Sequence, residues 1–218
     1  MKNLLLIIVL IFGSSMLADA HTINYAMEIK PTGDVIAYYL KLGFLHIMPY
    51  GYDHLLFILS LFLLSTRLKT ILLQATCFTV AHTFTLILTA CGYVVVLPSI
   101  VEPLISASIV FVAIENLYIK EINPFHYVIV FAFGLVHGMG FAGALAETGI
   151  PRNSFYSSLL SFNVGVELGQ VAFILLIWFG VGQFVRHQVW YKQRFVYPLS
   201  IAIALVAAWW TIQRIFVG

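Results

Sequence analysis

The sequence predicts an all-α integral membrane protein, a six-helix transmembrane bundle after a cleaved N-terminal signal peptide. Three observations carry that expectation. The chain of 218 residues is 61% hydrophobic and only 9% charged, with a mean hydropathy of +1.00, whereas a soluble domain needs about 25% charged residues to cover its surface. Six apolar runs are separated by turn signals, and the N-terminus has the layout of a secretory leader. A net charge of +2 leaves no basic surface for nucleic acid. Cys77 and Cys91 lie in apolar stretches without C-x-x-C spacing and read as small core residues rather than a disulfide or metal pair.

Taken in order, Lys2, the run "LLLIIVLIF" and "ADA" at 18–20 supply the positive region, apolar region and small-residue cleavage site of a signal peptide over 1–20. Residues 21–51 then form a periplasmic N-terminal segment. Within it, "DVIAYYLKLGFLHI" at 34–47 is an apolar-aromatic stretch expected along the outer interface. The transmembrane domain covers 52–218. Spanning takes about 20 mainly apolar residues, and the runs are about 52–66, 70–92, 98–118, 125–147, 154–185 and 195–216. Between them stand "STRLKT", Pro98, Pro124, "TGIPRNS" with Pro151, and "RHQVWYKQR". Basic residues favour the cytoplasmic side of a membrane. With the N-terminus outside, Arg67, Lys69, Lys120, Arg186, Lys192 and Arg194 fall inside, against Lys30, Lys41, Arg152 and Arg214 outside. The expected location is a bacterial inner membrane.

Ionisable groups within spans are rare and mark function or a buried partner. Here they gather. Asp53–His54 opens the first span, His82 lies in "TVAHTFTL", Glu102 opens the third, and Glu115 lies near its inner end. His137 lies in "FGLVHGMGFAGAL", and Asn163, Glu167 and Gln170 share one helical face at i, i+4, i+7. At about 1.5 Å per residue, the antiparallel course of the spans brings most of them to one outer-half level, with Glu115 closer to the cytoplasm. Gly134-x-x-x-Gly138-x-x-x-Ala142 and Gly165-x-x-x-Gly169 let helix backbones approach closely.

Each residue also has a simpler reading. A lone intramembrane histidine can be a structural hydrogen-bonder, Asp53 a helix cap, and Glu115 a partner of Lys120. His126 and His187 read as interfacial. The group as a whole points to chemistry. Imidazole and carboxylate together suit nickel, cobalt, zinc or copper, and His82, His137 and Glu167 are expected to share one deep pocket. Without H-E-x-x-H or G-x-S-x-G, an intramembrane metal-dependent hydrolase ranks second to metal transport, and a bis-histidine haem third. The partners expected are the metal ion and the lipid bilayer; self-association into a homo-oligomer is left open.

The blocks "GYDHLLF", "FTVAHTFTL", "VEPLISASIVFVAIEN", "FGLVHGMGFAGALAETGIP" and "FNVGVELGQ", in this order from about His46 to residue 180, resemble the HupE/UreJ family, in particular its branch with a periplasmic N-terminus. The resemblance implies a permease for nickel, or nickel and cobalt. The family signature is a histidine and proline, two residues, glycine, any residue, then Asp–His. Gly51-x-Asp53–His54 matches its end, while Ile47 stands at the histidine position and His46 one place earlier. The resemblance adds His46 and the Asp53–His54 signature to the polar groups read from the spans, so the expected metal site comprises His46, Asp53, His54, His82, His137 and Glu167, supported by Glu102, Glu115, Asn163 and Gln170.

Overall fold

The structure is a computed structural model that describes residues 27–65, 67–119 and 122–216, with the backbone alone at 142–144 and 146–148. The signal peptide, its cleavage site and Lys120 lie outside the described residues. Helices α1 (Thr32–Ile47), α2 (Tyr52–Leu64), α3 (Leu68–Ala90), α4 (Pro98–Tyr118), α5 (Pro124–Thr148), α6 (Phe155–Ile177) and α7 (Tyr197–Phe216) account for most of the fold. Wide π-helical turns extend α6 at Trp178–Gly182 and precede α7 at Tyr191–Val196. No strand occurs among the described residues.

Five stretches are long and apolar enough to cross a membrane: α3, α4, residues 124–141 of α5, Arg152–Val185 and Tyr191–Phe216. A sixth span arises when α1 and α2, bent at 64°, count as one broken crossing. At 13 residues, α2 alone reaches only about 20 Å of a hydrocarbon layer about 30 Å thick. The outer faces carry exposed Val80, Phe84, Leu104, Phe131, Leu160, Val164, Leu205 and Trp209. Large apolar side chains at helical spacing on every side fit lipid, not water. The chain is a membrane protein.

Helix α2 is the centre of the bundle. Its sequence "YDHLLFILSLFLL" is apolar all round, and such a helix must be covered all round. Ile58 and Phe62 pack into one core with Ile47, Phe162, Val166 and Ile174 of α1 and α6. Phe57 and Leu61 pack into a second with Ile109, Val130 and Ile203 of α4, α5 and α7.

Glycines set the closest helix pairs. A Cβ at Gly134 or Gly138 of α5 would strike the carbonyl oxygen of Phe78 or His82 on α3, so these helices run parallel in backbone contact. Gly165 and Gly169 face Leu40, Phe44 and Ile47 of α1, while Gly43 faces the Phe162 carbonyl. The second stripe therefore docks α1 along α6, also in parallel. The stretch expected along the interface buries its Val35, Tyr39, Gly43 and Ile47 stripe at i, i+4 spacing against α6, and the Tyr39 hydroxyl donates to the Gly149 carbonyl at 2.8 Å. Gly149 ends α5 at φ +67°, where a side chain would be strained. Antiparallel α4 and α7 are joined by Thr211, whose hydroxyl donates to Ser106 Oγ at 3.0 Å.

Candidate metal centre

The site forms where α1 breaks into α2. A Cβ at Gly51 would meet the His46 carbonyl oxygen; glycine is what allows the chain to bend tightly there. That bend sets the His46 and His54 rings 4.8 Å apart, centroid to centroid. His82 of α3 lies 5.9 Å from His54, and His137 of α5 lies 5.1 Å from it on another side. The close α3–α5 contact at Gly138 brings the last two helices together. Four imidazoles from four helices thus meet at one level, with His54 central.

One ligand nitrogen each from His46, His54 and His82 lie within 4.8 Å of one another. A tetrahedral ion with bonds near 2.05 Å needs nitrogens about 3.3 Å apart, so each ring must draw in by about 1 Å or less. His46 Nε2, His54 Nε2, His82 Nε2 and His137 Nδ1 are all buried without a hydrogen-bond partner among the described residues. A buried polar atom normally has a partner, and three of these orphans belong to the histidines whose ligand atoms can reach one ion, His46, His54 and His82.

The neighbours fix which nitrogens are available. Asn163 donates its amide to the Leu159 carbonyl at 2.8 Å, so its oxygen faces His82 Nδ1 at 3.3 Å and accepts from it. His82 then carries its lone pair on Nε2, the orphaned atom. Likewise the Ser108 hydroxyl donates to the Ile105 carbonyl at 2.6 Å and has only acceptor capacity left for His137 Nε2 at 3.0 Å. The His137 lone pair falls on Nδ1, again the orphan. A ring N–H held by an outer partner while the other nitrogen faces inward is the arrangement of ligating histidines. Neither Ser108 nor the paired roles of the ring nitrogens were read from the sequence; Ser108 sits in "SAS" among apolar residues, where nothing marks one serine above the other.

Aromatic rings wall the site. Phe78 lies 4.9 Å from His137 and 5.8 Å from His54, and Phe57 lies 4.9 Å from Phe78. Together they floor the cluster on the side of Leu64. Phe141 covers His46 at 3.9 Å. On the opposite side a cavity of about 510 Å³ opens past His54 and His137 to Asp53, Glu102, Trp210 and Arg214.

Asp53 stands at this mouth. Its Oδ2 accepts from Arg214 Nη2 at 2.8 Å, while its Oδ1 is buried without a partner among the described residues. The N-cap of α2 is Gly51, and Asp53 lies within its first turn. Glu102 is exposed on the wall of the cavity, and its carbonyl accepts from Arg214 Nη1 at 3.2 Å. The partnership with Arg214 was not foreseen; an arginine in the last turn of an apolar span was its one signal.

The remaining residues lie apart from the cluster. Glu167 Oε1 accepts from Thr76 at 2.6 Å, about 9 Å along α3 from His82, so the structure does not bring Glu167 together with His82 and His137. Gln170 accepts from Thr79 at 3.2 Å. Glu115 pairs with His126 at 3.0 Å, about 10 Å along α4 from Ser108. His126 was expected at the interface; it is 2% exposed because Asn123 caps the start of α5 by accepting from its backbone N–H and turns the ring onto Glu115. His187 is exposed.

No curated protein and no solved structure matches the chain. The sequence model of the HupE/UreJ protein family matches residues 20–214, a stretch that includes all four clustered histidines, Asp53 and Arg214. The chain belongs to the HupE/UreJ family.

Proposed function

We propose that the protein binds a divalent transition metal ion, nickel or cobalt, as cargo and carries it across a bacterial inner membrane, with its mature N-terminus in the periplasm. The observation that carries this reading is a buried imidazole cluster beneath an acid-lined mouth: one nitrogen each of His46, His54 and His82 lie within 4.8 Å of one another, and the adjoining His137 has a buried Nδ1 without a partner among the described residues. Imidazoles without thiolates suit nickel, cobalt, zinc and copper over harder cations. The lone pairs of His82 and His137 are set before an ion arrives, which reduces the ordering cost of binding. The broken α1–α2 pair supports a transport role, since discontinuous helices build substrate sites at mid-depth in transporters. Asp53 receives the ion, His54 and His46 pass it to His82 and His137, and Phe57 and Phe78 close the way inward. The chain carries no nucleotide-binding motif, so the driving force is an ion gradient or the membrane potential.

The test is direct. Detergent-purified protein is titrated with Ni²⁺, Co²⁺ and Zn²⁺, then placed in liposomes containing a metal-sensitive dye. Saturable binding and saturable influx, both lost in His54→Ala, are expected. Binding without influx turns the reading towards a metalloenzyme, and absence of binding removes it.

A further inference from the structure

The far end of the bundle holds a second cavity, of about 600 Å³, bounded by Ser65, Arg67, Thr70, Tyr127, Arg186 and Lys192. Three cations line it. Among the described residues no carboxylate lines it, and none pairs with Arg67, Arg186 or Lys192. The Arg186 guanidinium is held over the Trp178 ring at 4.5 Å, and its Nε is buried without a partner among the described residues. This cation is fixed in position rather than swinging in solvent. The 23-residue helix α3 starts at the same cavity, with no side-chain cap and no acid in its first turn. The first amides of a helix lack intrahelical partners and carry the positive end of its dipole. The irregular π-helical turn at Tyr191–Val196 supplies Tyr191 and Lys192 to the lining, and such turns often mark functional sites.

Basic residues at one end of a membrane protein also serve orientation, but orientation needs neither a concave site nor a guanidinium locked on an indole. We propose that this pocket binds a phosphate group, carried by an anionic phospholipid headgroup or by a free phosphate compound. Arg67, Arg186 and Lys192 supply the charge, and the Thr70 hydroxyl a hydrogen bond. Arginine suits a phosphate because its fork of N–H groups matches two oxygens at once.

The experiment uses the purified, delipidated full chain, with native mass spectrometry and thermal unfolding as readouts. One arm adds phosphatidylglycerol or cardiolipin against phosphatidylcholine; the other adds inorganic phosphate or pyrophosphate. Retention and a higher unfolding midpoint with the anionic lipids alone identify a lipid headgroup. The same response to phosphate or pyrophosphate identifies a soluble ligand. Lys192→Gln and Arg186→Gln should each weaken binding about fivefold, while Arg194→Gln, outside the lining, should not. Lys192 is exposed, so its variant remains informative if loss of the Arg186–Trp178 contact impairs folding. Equal losses in Lys192→Gln and Arg194→Gln, or no preference for either class of phosphate ligand over phosphatidylcholine, overturn the proposal.

Discussion

Asn163 and His82 are joined in one direction only. The Asn163 amide is committed to the Leu159 carbonyl at 2.8 Å, so its oxygen alone faces His82 Nδ1 at 3.3 Å. Removing that oxygen frees the ring to rotate and to change tautomer. Outer partners of ligating histidines typically contribute 10- to 100-fold in metal affinity. Asn163→Ala should therefore weaken Ni²⁺ or Co²⁺ binding by about that factor, while Asn163→Asp, which keeps an acceptor, should retain most of it. Metal titration of the two variants decides the matter; equal binding in Asn163→Ala and the parent would mean that Asn163 does not orient the ring.

The clustered imidazoles should behave as one unit. His46→Ala, His54→Ala and His82→Ala should each abolish tight binding, and a double variant should lose little beyond a single one. Glu167, bonded to Thr76 at 2.6 Å, lies outside the unit, so Glu167→Gln should bind metal as the parent does. The pH dependence has a fixed sign. A protonated imidazole has no lone pair to offer, so acidification sets protons against metal and affinity falls, with proton release on binding at acidic pH. Calorimetry in buffers of different ionisation enthalpy reads that release directly. Additive losses across the histidines would dissolve the single-site reading.

Arg214 competes with the ion for Asp53. The guanidinium neutralises the carboxylate at 2.8 Å while a divalent cation would do the same from the histidine side. Arg214→Gln should leave Asp53 charged and unpaired at the mouth, raising affinity for the ion and slowing its release. Asp53→Asn should do the opposite and weaken capture. Binding and influx measured on the same preparations separate the two effects. A drop in affinity in Arg214→Gln would show that the arginine supports the site instead of opposing the ion.

Orientation is open to a native probe. Cys91 is exposed just after α3, on the side of the bundle that carries the acid-lined mouth, whereas Cys77 is half-buried. With the N-terminus periplasmic, a membrane-impermeant maleimide should label Cys91 from outside in whole cells with a permeabilised outer membrane. A cysteine placed at Lys192 should react only after the inner membrane is opened. The reverse pattern would invert the direction assigned to the ion path.

The helices were legible because apolar runs and the Pro98, Pro124 and Pro151 boundaries are local signals. The convergence of His54, His82 and His137 was legible too, since helix rise converts sequence position into depth. His46 came from the family signature; its place in the cluster depends on Gly51 folding the chain onto the His46 carbonyl, a contact that no periodicity encodes. Glu167 shares a helical face with Asn163 but lies four residues, about 6 Å, further along the axis, where it meets Thr76. Lateral neighbours such as Ser108 and Arg214 depend on helix rotation, which hydropathy constrains only where a helix has one polar face. The centrally buried α2 has none.

The glycine stripes tie stability to the site, and that coupling can be measured. A Cβ at Gly138 would collide with the His82 carbonyl and with Thr85 Oγ1, the hydroxyl that donates to the Leu135 carbonyl at 2.7 Å and joins α3 to α5. Both elements are backbone or tightly bonded, so relief requires the helices to separate. Forced overpacking of this kind costs about 1–3 kcal/mol. Because His82 and His137 ride on the two helices, Gly138→Ala should lower the unfolding midpoint and the metal affinity together. Gly165→Ala meets the Leu40 carbonyl on α1 and should displace His46 in the same way. Gly180 has nothing within 4 Å of a built Cβ, so Gly180→Ala is the control and should change neither quantity. Should Gly138→Ala bind metal normally at reduced stability, the ligands would have to be held by something other than the α3–α5 contact.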